Sequence, residues 1–97
     1  MKIRWSPRSI GRITEIGDYI AQDSPLTALS VMRKILQSVE RLEDFPKSGR
    51  VVPEFNNPEI REVIHPPYRI LYQEFENVIE ILTVIHSRQL LTEDKIN

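Results

Sequence analysis

Apolar and β-branched residues concentrate in three short runs within residues 60–88. Pro66-Pro67 separates the first two runs, because proline has no amide hydrogen to give to a strand ladder. Glu76-Asn77 separates the last two, and asparagine tolerates the positive φ of a tight hairpin. The pattern predicts three consecutive antiparallel strands, over Arg61 to His65, Tyr68 to Glu74 and Val78 to His86.

Side chains alternate between the two faces of a strand. With the second turn centred on Glu76-Asn77, Tyr72 faces Ile81 and Arg69 faces Val84. Arg69 and His86 then become diagonal neighbours on one face, and a one-residue shift of register would undo this. We expect one face to carry Arg69, Leu71, Leu82, Val84 and His86, and the other Tyr68, Ile70, Tyr72, Ile79, Ile81 and Ile85.

The first half of the chain predicts one strand and two helices. Lys2 to Trp5 alternates polar and apolar residues, which suits a short strand that joins the edge of the later sheet. Ser6-Pro7 and Ser24-Pro25 are helix starts, each a good N-cap followed by proline. The helices should end near Ala21 and Glu43 and form an antiparallel hairpin. Their expected buried stripes are Ile10, Ile13, Ile16 and Ile20, then Leu29, Met32, Ile35 or Leu36, Val39 and Leu42.

The fold class that follows is α+β: strand, helix, helix and a three-stranded meander, in a single domain over residues 1–97. Residues 51–59 should form an irregular loop, and the last nine a helical turn or coil. The helical hairpin can cover only one face of the sheet, yet the strands are apolar on both. We therefore expect the second face to be bare and to bind a partner through Leu71, Leu82 and Val84.

Composition narrows the function classes. The chain of 97 residues is 40% apolar and 28% charged, as in an ordinary globular domain, and its net charge of −1 argues against a generic nucleic-acid coat. It has no cysteine and two histidines, so we expect neither a disulfide, nor a metal site, nor a cofactor. Without an apolar run of membrane length or a signal peptide, the cytoplasm is the expected location.

Several segments in order resemble the RelE/ParE family of toxins from type II toxin–antitoxin modules. They read WSPRSIGRITEIGDYI, LEDFPKSGRVVPEF, IREVI, PYRILY and ILTVIHSR, and they span nearly the whole chain. The resemblance implies the same fold and a growth inhibitor that a cognate antitoxin binds and neutralises. ParE-like members inhibit DNA gyrase, whereas RelE-like members cut messenger RNA on the ribosome.

For a RelE-like member the resemblance implies metal-free cleavage by Arg69, Glu54 and His86. Arg69 would stabilise the phosphorane charge, Glu54 would take the 2′-hydroxyl proton, and His86 would protonate the leaving oxygen. Residues expected to hold the phosphate or the target are Arg50, Arg61 and Arg88. The chain lacks a tyrosine after His86 and a basic excess, and its IHSR and GRVVPE segments look ParE-like.

Three functions stay open on this reading: a gyrase inhibitor without chemistry of its own, which we favour, a ribosome-dependent endonuclease, and a degenerate member that only binds antitoxin. The candidate residues also have structural explanations. Arg69 can pair with Glu62 or Glu80 across the sheet. His86 at a strand end can be a solvated histidine, Gly49 can serve a turn, and Tyr72 can be a core residue.

Overall fold

The computed structural model describes residues 1–96, which form a single sheet with a helical hairpin packed on one face. The strands are ordered β1-β5-β4-β3-β2, and the α+β architecture predicted from the sequence is confirmed. In chain order the elements are β1 (Lys2–Trp5), α1 (Pro7–Ala21), α2 (Pro25–Glu40), a 3-10 turn (Arg41–Glu43), β2 (Arg50–Val51), β3 (Ile60–His65), β4 (Tyr68–Phe75), β5 (Val78–His86) and a second 3-10 turn (Glu93–Lys95).

Both helices begin where the sequence predicts. The Ser6 hydroxyl oxygen accepts a hydrogen bond from the amide of Ser9, and Ser24 accepts one from Thr27, each at 3.1 Å. These caps satisfy amides that the first turn leaves without partners. The second helix ends three residues earlier than expected, at Glu40, and continues as the 3-10 turn.

The buried stripe of each helix is narrower than predicted. Ile10 and Leu29 are exposed, at 52% and 60% of their surface, so their assignment to the core was wrong. Of the alternatives Ile35 and Leu36, Ile35 is buried and Leu36 is 45% exposed. Buried Ser9 lies in the α1 stripe instead, and its hydroxyl donates to the Ser6 carbonyl at 2.8 Å. The core between helices and sheet consists of Ile16, Ile35, Val39, Leu42, Ile70, Tyr72, Ile79, Ile81 and Val84.

Strand β1 lies at the sheet edge, as predicted, and runs parallel to β5, from Lys2 opposite Val78 to Trp5 opposite Ile81. Beyond Ile81, no strand of residues 1–96 lies beside the edge of β5, and side chains bond to that edge instead. Arg12 Nε donates to the Val84 carbonyl at 3.1 Å, and Gln89 Oε1 accepts from the His86 amide at 2.8 Å. The Val84 carbonyl and the His86 amide flank Ile85, and a parallel neighbouring strand would bond to both. Arg12 and Gln89 therefore supply the hydrogen bonds that such a strand would make.

A β-bulge changes the register between β4 and β5. Tyr72 lies opposite Ile81, as predicted, but Leu71 lies opposite Thr83 and leaves Leu82 as the extra residue. From there the alternation is inverted. Val84 packs into the helix-side core and Ile85 into the cluster on the other face, so the faces predicted for these two residues were wrong, whereas those of Leu71 and Leu82 are confirmed.

The second face of the sheet is covered by the chain itself. Leu71, Leu82 and Ile85 pack there against apolar residues of the loop after β2, of the start of β3 and of the C-terminal segment, namely Val52, Phe55, Ile60, Leu91 and Ile96. The expected bare face is therefore wrong. The covering residues are spread over two irregular segments and have no periodicity that the sequence could reveal.

Among residues 1–96, no helix has the length and apolar character that crossing a membrane requires.

Candidate functional site

Four charged side chains form one ionic cluster where the loop after β2 meets the sheet. Arg69 on β4 donates from Nη1 and Nη2 to the two carboxylate oxygens of Glu54, at 2.6 and 2.7 Å. Its Nε donates to Glu62 on β3 at 2.5 Å. The other oxygen of Glu62 accepts from Nε of Arg50 at 2.6 Å. The four side chains are therefore linked in the order Glu54, Arg69, Glu62, Arg50. Positive and negative charges alternate along this order.

The sheet register brings these residues together. Arg50 lies directly opposite Glu62 between β2 and β3, and Arg69 lies opposite Ile64, two residues along from Glu62. Diagonal neighbours at this separation are within reach of a long side chain. The alternative that Arg69 pairs with Glu62 is thus confirmed, whereas Glu80 bonds to Arg4 instead.

The centre of the cluster is buried. The side chains of Arg69 and Glu62 are 9% and 0% exposed, while Glu54 is 38% exposed. Hydrogen bonds from Arg69 lower the pKa of Glu54, and the bonds to Glu54 raise the pKa of Arg69 further above its usual range. Both shifts mean that the ionised forms, the Glu54 carboxylate and the Arg69 guanidinium, are favoured. Arg69 is therefore held by two carboxylates, and Glu54 is a weaker base than a free glutamate.

A second anchor holds the loop before β2. The hydroxyl of buried Tyr72 donates to the Pro46 carbonyl at 2.9 Å and accepts from the Gly49 amide at 3.0 Å. Burial raises the pKa of Tyr72, so the neutral donor form is favoured. The prediction that Tyr72 is a core residue is confirmed, but its hydroxyl contact with the loop has no local sequence signal.

Gly49 is required for close approach and not for a left-handed turn. Its φ is not positive, which corrects the expected turn role. A Cβ atom at this position would lie 2.5 Å from the Glu62 carbonyl oxygen and 2.6 Å from the Tyr72 hydroxyl.

The remaining predicted site residues lie apart from the cluster or support the loop. Arg61 donates to the Gly49 carbonyl at 2.8 Å and so helps to fix the loop. Nδ1 of His86 accepts from the amide of exposed Arg88 at 3.0 Å, and its ring packs edge-on against Tyr68, with centroids 5.8 Å apart. Tyr68 borders the helix-side core, so His86 faces away from Arg69. The expectation that the two share a face was wrong, because of the bulge.

The three proposed nuclease residues are thus not assembled. Arg69 and Glu54 are together but occupy one another, and His86 is on the opposite face of the sheet. An acid, a base and a free cation that converge on one phosphate are what metal-free RNA cleavage needs. Within residues 1–96 no group of three or more potential ligand side chains could hold a metal ion.

The predicted antitoxin-binding residues are buried. Leu71 and Val84 are 0% exposed and Leu82 is 8% exposed. Leu71 and Leu82 lie under the loop and the C-terminal segment, and Val84 lies under the helices. In this conformation these three side chains are therefore not accessible to a partner, which contradicts the prediction that they bind the antitoxin.

Comparisons with known proteins agree with the fold. The family model described as "ParE toxin of type II toxin-antitoxin system, parDE" matches residues 3–91. The protein Y4kP of Sinorhizobium fredii is 39% identical over 88 residues, which cover 91% of this chain and 90% of Y4kP. Toxin RelE2 of Caulobacter vibrioides is 30% identical over 90 residues, 92% of this chain and 98% of RelE2.

A solved structure titled "Chromosomal ParDE TA system from P. aeruginosa" superposes with a TM-score of 0.74 at 21% identity, over 89% of this chain and 95% of that one. At this identity the likeness establishes the fold alone. The family model covers most of the chain, and its match includes Glu54, Glu62 and Arg69. The chain therefore belongs to the ParE toxin family of type II toxin–antitoxin systems.

Proposed function

We propose that this ParE-family toxin arrests growth by binding DNA gyrase, without chemistry of its own, and that a cognate antitoxin neutralises it. The family assignment supports the antitoxin partner, and the gyrase target follows the resemblance to ParE-like members. The observation that carries the proposal is the state of Arg69. Two carboxylates hold its guanidinium in a nearly buried site, so it is a poor ligand for a phosphate.

An incoming phosphate would also meet the wrong charge. Glu54 covers Arg69 from the loop side and is ionised, because hydrogen bonds from Arg69 lower its pKa. To bind there, the phosphate would have to displace a bidentate carboxylate, the strongest kind of arginine partner. A structural role, in which the cluster holds the loop on the sheet, accounts for the same contacts without that cost.

For the antitoxin we propose the outer groove of the helical hairpin. Leu29 and Leu36 are two turns apart on one side of α2, and both are exposed. Met32 lies between them, and its Sδ would be 3.3 Å from a Cβ atom at Gly17, so this side of α2 faces α1.

The α1 wall of the groove is also apolar. Ile10 lies two turns before Gly17 on the same side of α1 and is 52% exposed. Ile10, Leu29 and Leu36 therefore give this side of the hairpin an exposed apolar surface. An amphipathic helix of the antitoxin, with apolar residues three and four apart, fits such a surface.

The gyrase proposal is tested with purified components. The toxin is added to gyrase with relaxed plasmid, and separately to a translating extract with labelled messenger RNA. We expect loss of supercoiling and intact messenger RNA. Cleavage of the messenger RNA with supercoiling untouched would contradict the proposal and favour the ribosome-dependent endonuclease.

The antitoxin proposal is tested by co-purification with the product of the neighbouring gene. Leu29→Glu and Leu36→Glu should weaken the complex, because each places a charge in the apolar groove. Tyr19→Glu is the matched control, since Tyr19 is also a large, exposed side chain on the hairpin. Equal loss with all three variants would contradict a site in the groove.

A further inference from the structure

Part of the edge of β3 is free of a partner strand. Strand β2 pairs with β3 only from Val51 opposite Arg61 to Arg50 opposite Glu62. The Ile60 carbonyl accepts from the Val52 amide on this side, so alternation directs the backbone groups of Glu62 and then Ile64 to the same edge. Ile64 thus presents one N–H and one C=O beyond the end of β2, and its side chain is 47% exposed.

A cleft of about 330 Å³ runs beside this free edge, between β3 and the end of α2. Its lining combines apolar, hydroxyl and guanidinium groups. The side chains that line it include Ser38, Arg41, Ser48, Arg50, Val63 and Ile64. An extended backbone on the edge of β3 would place one row of side chains into such a cleft.

The charge of the cleft is positive. Glu62 is its acidic residue, and Arg69 and Arg50 already neutralise that carboxylate. No carboxylate side chain of residues 1–96 lies within 4 Å of the Arg41 guanidinium. The cleft therefore has one cation available, next to two serine hydroxyls, and complements an acidic side chain.

We propose that an extended, acidic segment of the antitoxin adds as a short strand to the free edge of β3. Its backbone pairs with the N–H and C=O of Ile64, and an aspartate or glutamate side chain enters the cleft and bonds to Arg41. Pro66-Pro67 ends this edge one residue after His65, so the added strand is short and the ion pair supplies part of the affinity. The inference rests on the proposed antitoxin partner and adds a second contact, distinct from the hairpin groove.

Amide hydrogen exchange on the complex tests the backbone contact. The toxin is co-expressed with the product of the neighbouring gene, and exchange is compared between free toxin and complex. The Ile64 amide should exchange quickly in free toxin and be protected in the complex. If a complex forms and this amide exchanges at the same rate as before, the strand addition is wrong while the antitoxin proposal stands. If no complex forms, both the antitoxin proposal and the strand addition are wrong.

Substitution tests the two halves of the contact. Ile64→Pro removes the outward N–H and should weaken binding roughly five- to tenfold, because one hydrogen bond to the antitoxin is lost. The toxin itself should still fold, because proline is tolerated where an edge amide faces solvent. Ile64→Val keeps the amide and is the control, with unfolding midpoints measured for both. If Ile64→Pro unfolds the protein, protection of the Ile64 amide in the wild-type complex decides whether the strand is added.

Arg41→Ala should weaken binding roughly tenfold, less so at high salt. Lys2→Ala removes a cation from the opposite edge strand and should leave binding unchanged. Equal effects of the two would point to non-specific attraction and overturn the proposed ion pair.

Discussion

A Cβ atom placed on Gly49 would lie 2.6 Å from the hydroxyl oxygen of Tyr72, closer than real Cβ contacts allow. The Glu62 carbonyl oxygen would be as close on the other side, at 2.5 Å. Backbone and a buried ring cannot move away as a flexible side chain could. The segment that bears Arg50 and Glu54 can therefore reach the sheet only through a glycine.

Gly49→Ala should destabilise the fold by about 1–3 kcal/mol, the usual cost of overpacking. Gly11→Ala is the matched control, because nothing lies within 4 Å of a Cβ there and the residue is inside α1. That substitution should stabilise the protein by about 1 kcal/mol. Denaturant unfolding measures both, and similar effects at the two glycines would contradict the close approach.

Tyr72→Phe tests the hydroxyl itself. The change leaves the ring in the core but removes the donor to the Pro46 carbonyl and the acceptor for the Gly49 amide. We expect a loss of about 1–3 kcal/mol, since two backbone groups lose their partner. Tyr19→Phe, at an exposed site on α1, should change the free energy of unfolding by less than about 0.5 kcal/mol. Faster exchange at the Gly49 amide in Tyr72→Phe would identify the loop as the affected part.

Arg69→Met should be strongly destabilising, by about 3 kcal/mol, because it leaves the fully buried Glu62 with Arg50 alone. The double variant Arg69→Met, Glu62→Leu removes the buried charges together. It should recover most of the loss, because well-packed apolar residues can replace a buried ion pair. If the double variant is as unstable as the single one, the cluster does more than satisfy its own buried charge.

The same double variant separates the two functions. It is expected to fold, and it lacks the arginine that RNA cleavage would need. If the protein inhibits gyrase by binding, inhibition per folded molecule should persist in the supercoiling assay. Loss of inhibition with the fold intact would assign Arg69 a direct part in toxicity.

Local signals predicted more of this molecule than long-range ones. Ser6 and Ser24 mark the helix starts because a cap needs only the next three residues. The Tyr72–Ile81 pairing followed from the nearby turn, and so did the strand bounds to within one residue. The bulge at Leu82 had no marker inside an uninterrupted apolar run, and every face assigned beyond it was inverted.

The candidate site was predicted in part for the same reason. The Arg69–Glu62 pair lies on adjacent strands, and it was one of the two pairs, with Glu62 or with Glu80, that the sequence left open. Glu54 reaches Arg69 from a loop whose path depends on Val52 and Phe55 packing on the sheet. A few apolar residues in an irregular segment do not predict where that segment packs. The bare face, and the antitoxin surface of Leu71 and Leu82, were wrong on that account, whereas Val84 lies under the helices because of the bulge.

Arg12 and Gln89 should act as one unit at the open edge of β5. Arg12 Nη2 also donates to Gln89 Oε1 at 2.9 Å, so each side chain holds the other against the strand. Gln89→Leu should cost about 1 kcal/mol, because the His86 amide loses its acceptor. A double-mutant cycle with Arg12→Met should give a coupling energy of at least about 0.5 kcal/mol. Additive effects would mean that the two caps are independent.

Acid should weaken the anchor of the loop through Glu54. Hydrogen bonds from Arg69 lower the folded-state pKa of Glu54 below its ordinary value of 4.5. A carboxyl group with a lowered folded-state pKa binds fewer protons in the folded state than in the unfolded state. Its contribution is therefore complete above the unfolded value and is lost as the pH falls through the folded one.

We expect the free energy of unfolding to decline below about pH 4.5, and Glu54→Gln to remove part of that decline while lowering stability at neutral pH. The effect is moderate, since Glu54 is more than one-third exposed and solvent screens it. Glu76→Gln is the control, because Glu76 is an exposed carboxylate in the β4–β5 turn. Urea unfolding from pH 3 to 7 measures all three proteins. An unchanged acid slope in Glu54→Gln would show that the bidentate pair with Arg69 does not couple to folding.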